Sequence, residues 1–342
     1  MYRERKYKGL SIEKICRRYG FTRQGYYKSV KMSGKAEEET ALIVELAREI
    51  RKTLPRAGVR KLYNELRGIF KENGLRVGRD KLFGIMRQAG MLIESRPAYK
   101  VTTDSNHPFR VYRNLTEGFV PTGIDQLWVS DITYIRLGKG FCYLSLVTDA
   151  YSRCIRGYHI SDTLELEGCL KALKMALKGL PEKHNLIHHS DRGVQYCSHA
   201  YTGMLRKHNI RISMADRGNC YQNALAERVN GILKGEFYLN LTFGSLQEAK
   251  RVCKQAIWLY NNYRPHLSLD YKKPAEVHYG KAIDGFSSRL QGIVQAGTRQ
   301  GYSKRAATGS RTNQSPPLTE PGLYDDRSAM RRKPEKVMKS YV

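Results

Sequence analysis

Acidic residues are scarce in this sequence: 32 Asp and Glu stand against 60 Lys and Arg, so the formal net charge is +28. Long apolar runs are also missing, since stretches such as residues 141–147 are far shorter than the roughly eighteen residues of a membrane-spanning helix. The first ten residues are basic but are not followed by the apolar segment of a secretory signal. A membrane-spanning or exported protein is therefore not expected. The excess of positive charge predicts a polyanionic partner, with nucleic acid first.

Cysteines at metal-binding spacing are absent as well. The seven Cys are scattered without a CxxC pair, and none of the nine His pairs with a Cys at zinc-finger spacing. This usage favours reduced thiols over disulfides and argues against structural zinc. With 41% hydrophobic residues over 342 positions, the chain can form sizeable cores, and its length predicts two or three domains.

The first 35 residues have the pattern of a basic helix-turn-helix segment, with eleven Lys or Arg against two Glu. Ser11 and Thr22 are predicted to cap two helices, and Gly20 is predicted to form the turn between them. The second helix carries three candidate DNA contacts, Arg23, Gln24 and Lys28. An ordinary helical hairpin fits the same pattern, because a helix pair becomes a DNA reader only by docking in a groove.

A second helical unit is predicted over residues 36–92. Apolar residues at helical spacing predict a helix over residues 37–52. The stretch from 57 to 90 then repeats the helix-turn-helix pattern, with a break at Asn73-Gly74. Residues 93–124 are polar, basic and without clear periodicity, which predicts a linker that could lie along a duplex.

From residue 125 the pattern changes to alternating strands and helices. Three strands at 126–135, 141–151 and 154–161 are separated by short turns that suit a meander. Helices and short strands then alternate over 165–178, 186–190, 198–208, 211–214 and 223–236. The order βββαβαβα predicts a ribonuclease H-like α/β domain over residues 125–279, with a mixed five-stranded sheet flanked by helices. Another helix is expected over 245–260, Pro265 and Pro274 are expected to stop regular structure, and residues 280–342 are expected to form a basic, disordered tail.

Three carboxylates lie where chemistry is expected. Asp131 is inside an apolar strand, Asp191 directly follows a strand, and Glu227 lies on a helix face with small neighbours. Each one alone also fits a hydrogen-bonded structural acid. Together they fit a cage for two Mg²⁺ or Mn²⁺ ions about 3.5–4 Å apart, the arrangement that two-metal phosphoryl transfer requires.

The sequence around these carboxylates resembles a known family. Thirty-five residues separate Asp191 from Glu227, and Lys234 follows the glutamate by seven positions. The strings WVSDITYI, HHSDRGVQY and NALAERVNGILKGEF resemble the three signature blocks of second-frame (OrfB) transposases of the IS-three group of bacterial insertion sequences, whose catalytic domain is similar to retroviral integrases. The resemblance extends to AGVRKLYNEL, GRDKLFGIMRQAGM and YNNYRPHLSLDYKKPAEV, and so covers roughly residues 16–277.

The resemblance implies a function and a set of roles. Asp131, Asp191 and Glu227 would be metal ligands, and Lys234 would contact the DNA of the element end, with Asn223 and Arg228 as weaker DNA-contact candidates. The chain would bind terminal inverted repeats through its helical modules, then cut and join DNA strands without a covalent protein intermediate. A first-frame (OrfA) partner or frameshifted fusion and a homo-oligomer on DNA are expected. A bacterial, cytoplasmic and nucleoid-associated location is also implied.

Several nearby residues keep two interpretations. His189 could approach the metals or pack in the sheet, and Gly193 fits a turn as well as a functional position, as it lies with Gln195 in a signature block. Asp149 is interpreted as structural because it ends the second strand. Where family members often carry an acid before the Asn of the third block, this chain has Gln222, and the role of that acid is therefore in doubt.

Other functions fit parts of the sequence. A DNA-binding regulator that has lost activity is a rival, although the intact set of three carboxylates argues against it. A nuclease that only hydrolyses, such as a junction resolvase, is another, and the N-terminal reader makes recognition of terminal repeats the better interpretation. The 23 tyrosines mean that counting cannot exclude a tyrosine recombinase. The zinc module of retroviral integrases is missing, and the tail extends beyond the usual end of the family.

Overall fold

The computed structural model describes residues 11–94, 109–216, 223–281 and 285–300. The chain begins with two helices, α1 (Ile12–Arg18) and α2 (Arg23–Thr53). Both predicted caps are present, because the side-chain oxygens of Ser11 and Thr22 each accept a hydrogen bond from the backbone amide three residues further on, at 3.2 and 3.0 Å. The described part of the predicted basic helix-turn-helix segment therefore begins and turns where the sequence indicates.

Helix α2 is longer than the sequence suggested. It is one continuous helix of 31 residues, whereas the pattern indicated a short helix after Thr22 and a separate one from residue 37. Its buried residues all fall between Leu42 and Ile50, so packing fixes the second half while the first half projects into solvent. Nothing between the halves stops a helix, since a lone glycine such as Gly34 only weakens one. The boundary predicted after residue 35 lies inside this helix.

The second helical unit follows the prediction closely. Helices α3 (Val59–Glu72) and α4 (Arg79–Gln88) are joined by a turn in which Gly74 has a φ of +66°, a conformation that suits glycine. The apolar face of each helix packs against the second half of α2. The fully buried side chains of this core are Ile43, Leu46, Ala47, Ile50, Leu62, Leu66, Leu82 and Met86.

The predicted mixed five-stranded sheet is confirmed. Its strands are β1 (Leu127–Arg136), β2 (Phe141–Asp149), β3 (Ile155–Ser161), β4 (Ile187–Ser190) and β5 (Arg211–Met214). The first three form an antiparallel meander, β4 joins β1 in parallel, and β5 joins β4 in parallel. The resulting order is β3-β2-β1-β4-β5, which puts β1 and β4 side by side in the centre.

Helices cover both faces of this sheet. They are α5 (Leu166–Leu177), α6 (Val194–Cys197), α7 (His199–Lys207), α8 (Ala224–Glu236), α9 (Leu246–Asn262) and α10 (Pro274–Tyr279). Because strand side chains alternate, Trp128 of β1 packs with α5 and α7, while Leu127 and Val129 pack with Ala226 of α8 on the other face. The short helices α6 and α10 were not predicted; Pro274, expected to stop structure, instead begins α10, a position that proline tolerates.

A last helix, α11 (Ser287–Gln300), corrects the expectation that the chain is disordered beyond residue 280. Phe286, Leu290 and Val294, spaced by four, are buried in the core that the N-terminal helices share. Their spacing matches a helix with one apolar face. The region is rich in Gly and Ser, and this composition favoured the prediction of disorder. Residues 301–342 of the predicted tail lie outside the described residues.

Part of the predicted linker packs against the sheet. Residues 109–124 contain no helix or strand, and the backbone amide of Leu115 donates to the hydroxyl of Ser213 in the edge strand β5 at 2.8 Å. Residues 95–108 of the linker lie outside the described residues. Among the helices that the structure describes, none has the length and apolar character needed to cross a lipid bilayer.

Candidate active site

Two predicted site residues lie side by side because of the strand register. The parallel pairing of β1 with β4 ends at Ser130 opposite Ser190; Asp131 is the next residue of β1, and Asp191 directly follows the end of β4. Since side chains alternate along a strand, both aspartates belong to the face that α8 covers. Strand β4 ends here while β1 continues, so β4 no longer pairs with β1 beyond the two carboxylates.

Asp131 is held in place from two sides. Its Oδ2 accepts a hydrogen bond from Nδ2 of Asn230 on α8 at 2.8 Å, and its Oδ1 accepts one from the backbone amide of Ile132 at 2.9 Å. Burial, followed by the negative charges of Asp191 and Glu227, nevertheless raises its pKa to about 7. The three predicted carboxylates therefore repel one another across this end of the sheet.

Asp191 is oriented by the turn that follows it. Its Oδ1 accepts a hydrogen bond from the backbone amide of Gly193 at 3.0 Å. A Cβ at position 193 would lie 3.0 Å from the same oxygen, which real Cβ atoms rarely tolerate. Gly193 therefore allows the close approach that orients the carboxylate. Gln195 donates to the carbonyl of Leu164 at 2.8 Å and so fastens the same turn to the chain before α5.

Helix α8 carries two further predicted residues, Glu227 and Lys234, together with Asn230, along one face. Glu227 is exposed in its first turn, Asn230 is buried one turn later, and Lys234 is half-buried one turn further. Burial lowers the pKa of Lys234, while the charge of Asp131 acts in the opposite direction, so this lysine lies within electrostatic reach of Asp131. Glu227 and the positive charge of Lys234 thus lie about two turns apart on the same helix.

The remaining candidates are placed less directly. Asn223 occupies the N-cap position of α8, and its buried side chain donates to the carbonyl of Ser130 at 3.3 Å, so it contacts the strand beside Asp131. Arg228 is exposed. His189 is buried in β4, with Nδ1 2.8 Å from the hydroxyl of Ser213, which corresponds to the sheet-packing interpretation. Arg23, Gln24 and Lys28 are exposed at the start of α2.

A second group of potential ligands lies elsewhere. Among the described residues, Asp125, Asp149 and His278 form the one group of three whose ligand atoms all lie within 4.8 Å of one another. The predicted triad is more open, since Glu227 is exposed and its charge affects Asp131 less than that of Asp191 does. The second group joins the end of β2 to α10.

Hydrogen bonds and a cation already saturate this second group. The carboxylate of Asp149 accepts from the amide and hydroxyl of Ser152 and from the amide of Asp125, at 2.6–2.8 Å. Although burial acts to raise its pKa, His278 and these donors lower it. Arg156, with Nε 3.7 Å from Oδ1 of Asp125, supplies the positive charge that a metal would bring. We assign the group a structural role, in agreement with the interpretation of Asp149 from the sequence.

The sequence did not point to two contacts that organise the site. Asn230 was overlooked, although a polar residue three positions after Glu227 lies on the same helix face. The end of α8 is held by Glu236, whose carboxylate accepts from Arg264 at 2.7 and 2.9 Å and from Lys61 of α3 at 2.7 Å. Lys61 is 175 residues away in sequence, so no local pattern signals the pair.

The chemistry of the donors at Asp131 and Asp191 fits a divalent metal. Carboxylate oxygens are the ligands that Mg²⁺ and Mn²⁺ prefer. Hydrogen bonds fix one oxygen of Asp191 and both oxygens of Asp131, and burial, followed by the negative charges of Asp191 and Glu227, raises the pKa of Asp131. A divalent cation at this position would relieve the repulsion between the carboxylates.

The chain was compared with protein families and with solved structures, and the part that carries this arrangement matches known proteins. Two family models, both described as an integrase core domain, match residues 121–220 and 208–274. Among solved structures, the magnesium complex of the HTLV-2 integrase catalytic core domain matches with 20% identity and a TM-score of 0.37, covering 46% of this chain and 98% of that one. The family models span all five strands and the three predicted carboxylates.

Curated relatives extend the match to most of the chain. The insertion element IS600 uncharacterized 31 kDa protein of Shigella sonnei is 35% identical over 265 residues, which is 76% of this chain and 96% of that protein. The transposase for IS629 of Shigella sonnei is 31% identical over 72% of this chain and 81% of its own length. Transposase InsF for IS3A of Escherichia coli strain K12 is 31% identical, over 66% of this chain and 79% of its own length. Because such identity covers most of each relative, the chain belongs to the IS3 family of transposases and carries their integrase core domain.

Proposed function

We propose that the chain is a DDE transposase that binds the terminal inverted repeats of its insertion sequence and catalyses metal-dependent cleavage and transfer of DNA strands. The observation that carries the proposal is the meeting of Asp131 and Asp191 at neighbouring parallel strands, with Glu227 on the helix that covers them. Carboxylates from two strands and one helix are the donors that phosphodiester chemistry with hard cations requires.

The reaction consists of two displacements at phosphorus. In the first, a water oxygen bonds to phosphorus at the element end, the bond from phosphorus to the 3′ oxygen breaks, and that oxygen leaves with a proton as a 3′-hydroxyl. In the second, this hydroxyl bonds to a phosphorus of target DNA, gives its proton to solvent and displaces a target 3′ oxygen, which takes up a proton. Two bound Mg²⁺ or Mn²⁺ ions would supply Lewis acidity to the attacking and leaving oxygens.

The residues of the chain prepare these steps. Asn230 and the amide of Gly193 fix the directions in which Asp131 and Asp191 present their oxygens. Lys234 places a positive charge on the same helix face as Glu227, where it can bind a phosphate of the element end and hold the scissile bond at the carboxylates. Because the carboxylates and the bound phosphate are already held in place, less entropy is lost when the reacting groups come together.

The N-terminal helices are proposed to recognise the DNA. Arg23, Gln24 and Lys28 are exposed at the beginning of the projecting half of α2, and α3 with α4 forms a second pair joined by a tight turn. The net charge of +28 favours salt-sensitive binding to any duplex, on which base contacts from one of these helices would impose sequence preference. A first-frame partner would add a further DNA-binding segment.

The proposal is tested with the full chain on a labelled duplex that carries its own element end, read from the inverted repeats that flank the gene. With Mg²⁺ we expect a nick that leaves a 3′-hydroxyl at the element end, and joined products when a supercoiled plasmid is added. EDTA should stop both. A parallel reaction contains the first-frame segment. Nicked ends without joined products in either reaction would indicate a hydrolytic nuclease, and binding without nicking would indicate a regulator.

Metal affinity should depend on pH in a defined direction. Because the pKa of Asp131 is raised to about 7, protons compete with the metal below that value. Its ionised fraction is about ten times larger at pH 8 than at pH 6, so the Kd for Mn²⁺ should be about tenfold lower at pH 8. Calorimetric titration of the full chain measures this. Equal affinities at both pH values would contradict the assignment of Asp131 as a ligand.

A further inference from the structure

A cleft of about 700 Å³ separates the N-terminal helical unit from the end of α8. Its cationic lining residues are Arg56, just before α3, and Arg60 and Lys61 in the first turn of α3. Its apolar lining, called the apolar wall, consists of Phe83, Leu92 and Ile93. Gly235 and Glu236 of α8 close it on the side of the sheet domain. We call this the junction cleft.

Three cations and two acids, Glu94 and Glu236, line the cleft, so its lining carries a net positive charge. The carboxylate of Glu236 is fully used by Lys61 and by Arg264, whose side chain is 5% exposed. Arg56 donates to the backbone carbonyl of Glu94 at 3.0 Å and not to a carboxylate. Arg60 is exposed, and it forms no ion pair within the described part of the chain. Burial, together with the nearby cations Arg264 and Arg228, lowers the pKa of Lys61 to about 8. An additional anion would therefore be stabilised here.

The junction cleft continues the proposed active site along a single helix. Helix α8 carries Glu227 and Lys234, and the next two residues, Gly235 and Glu236, line the cleft. From Glu227 to Glu236 the helix rises by about 14 Å. A B-form duplex advances by the same distance over roughly four base pairs. DNA whose end lies at the carboxylates and which follows α8 would reach the cleft at about that depth.

We propose that the junction cleft is a second binding site for the DNA backbone, which takes phosphates about four base pairs from the reacting end. Arg56 and Arg60 provide guanidinium groups suited to phosphate oxygens, and the apolar wall can pack against deoxyribose carbons. The pair formed by Lys61 and Glu236 fixes the distance between this site and the carboxylates, because it joins α3 to α8 directly. The inference rests on the proposed function, since it takes DNA as the substrate.

The test measures the salt dependence of DNA binding by the full chain. A fluorescent 30-base-pair duplex of random sequence is titrated in EDTA at several KCl concentrations, because phosphate contacts do not depend on sequence. The slope of log K against log [KCl] is negative. In the variant Arg56→Ala/Arg60→Ala its magnitude should fall by about two, one for each lost phosphate contact. The single variant Arg60→Ala should reduce its magnitude by about one, and because Arg60 is exposed we expect this variant to keep the wild-type fold.

The matched control removes the same charge elsewhere. Lys174→Ala/Lys178→Ala changes two exposed lysines at the end of α5, which lies on the opposite face of the sheet from α8. This variant should keep the wild-type slope. Wild-type slopes in both arginine variants, or an equal loss in the lysine control, would overturn the inference. If the arginine variants lose slope but the wild-type chain never nicks an element end, the junction cleft stands and the proposed function fails.

Discussion

Asp131→Asn, Asp191→Asn and Glu227→Gln should each reduce strand cleavage and strand joining by roughly a thousandfold or more, because each removes a charged donor worth several kcal/mol to the transition state. Binding of element-end DNA should stay within about twofold of wild type, since the substitutions remove negative charge and leave the basic surface intact. Gel assays of nicking and joining with Mg²⁺ measure the first effect, and fluorescence anisotropy in EDTA measures the second.

A matched substitution separates chemistry from charge. Glu182→Gln removes one exposed carboxylate in the loop between α5 and β4 and should leave cleavage at the wild-type rate. Thermal melts of all four variants show whether any loss of activity reflects unfolding. A variant at position 131, 191 or 227 that is folded and cleaves at the wild-type rate would remove that residue from the site.

The placement of Asp131 and Asp191 side by side could be predicted from side-chain alternation and strand order, whereas their role as metal ligands together with Glu227 stays a prediction. The order βββαβαβα and the parallel addition of the fourth strand make β1 and β4 neighbours. A residue inside β1 and the residue after β4 can then meet on one face, as Asp131 and Asp191 do. The role of Asn230 was not predicted, because its partner is an aspartate 99 residues away and only the packing of α8 on the sheet brings them together.

The N-terminal region was predicted less completely for the same physical reason. The caps at Ser11 and Thr22 depend on neighbouring residues and were predicted correctly. The continuity of α2 reflects the absence of any residue that stops a helix between its halves, whereas the existence of α11 depends on partners far away in the chain. Phe286, for example, contacts the ring of Tyr263, with the centroids 5.7 Å apart, and both belong to the core that the helical unit shares with the sheet domain. Composition alone therefore suggested a tail where packing forms a helix.

This shared core bears on how the chain can be divided. A division near residue 125 separates the candidate DNA readers from the carboxylates and predicts that specificity lies before it and chemistry after it. Helix α11, however, follows the sheet domain in the sequence and packs against α2 and α3. Gln291 donates to Glu72 at 2.7 Å, and Arg289 lies 3.6 Å from Glu49. A fragment that ends near residue 121 would leave the surface beneath α11 exposed.

Leu290→Ala should therefore destabilise the N-terminal helices although it lies more than two hundred residues after them. Leu290 is 1% exposed, and truncation of a fully buried leucine to alanine costs about 2–5 kcal/mol of the free energy of unfolding. We expect faster hydrogen exchange in the buried stretch of α2 and in α3, together with a lower urea midpoint for the full chain. Exchange measured by mass spectrometry locates the effect.

Ser288→Ala is the control for this substitution, because Ser288 is exposed on the same helix and its replacement should change the free energy of unfolding by less than about 0.5 kcal/mol. A peptide of residues 281–300 added to a fragment of residues 1–121 should slow exchange in α2 and α3 if α11 completes their core. Unchanged exchange in Leu290→Ala, with no effect of the peptide, would mean that the helical unit is stable without α11 and that a division near residue 125 yields an independent reader.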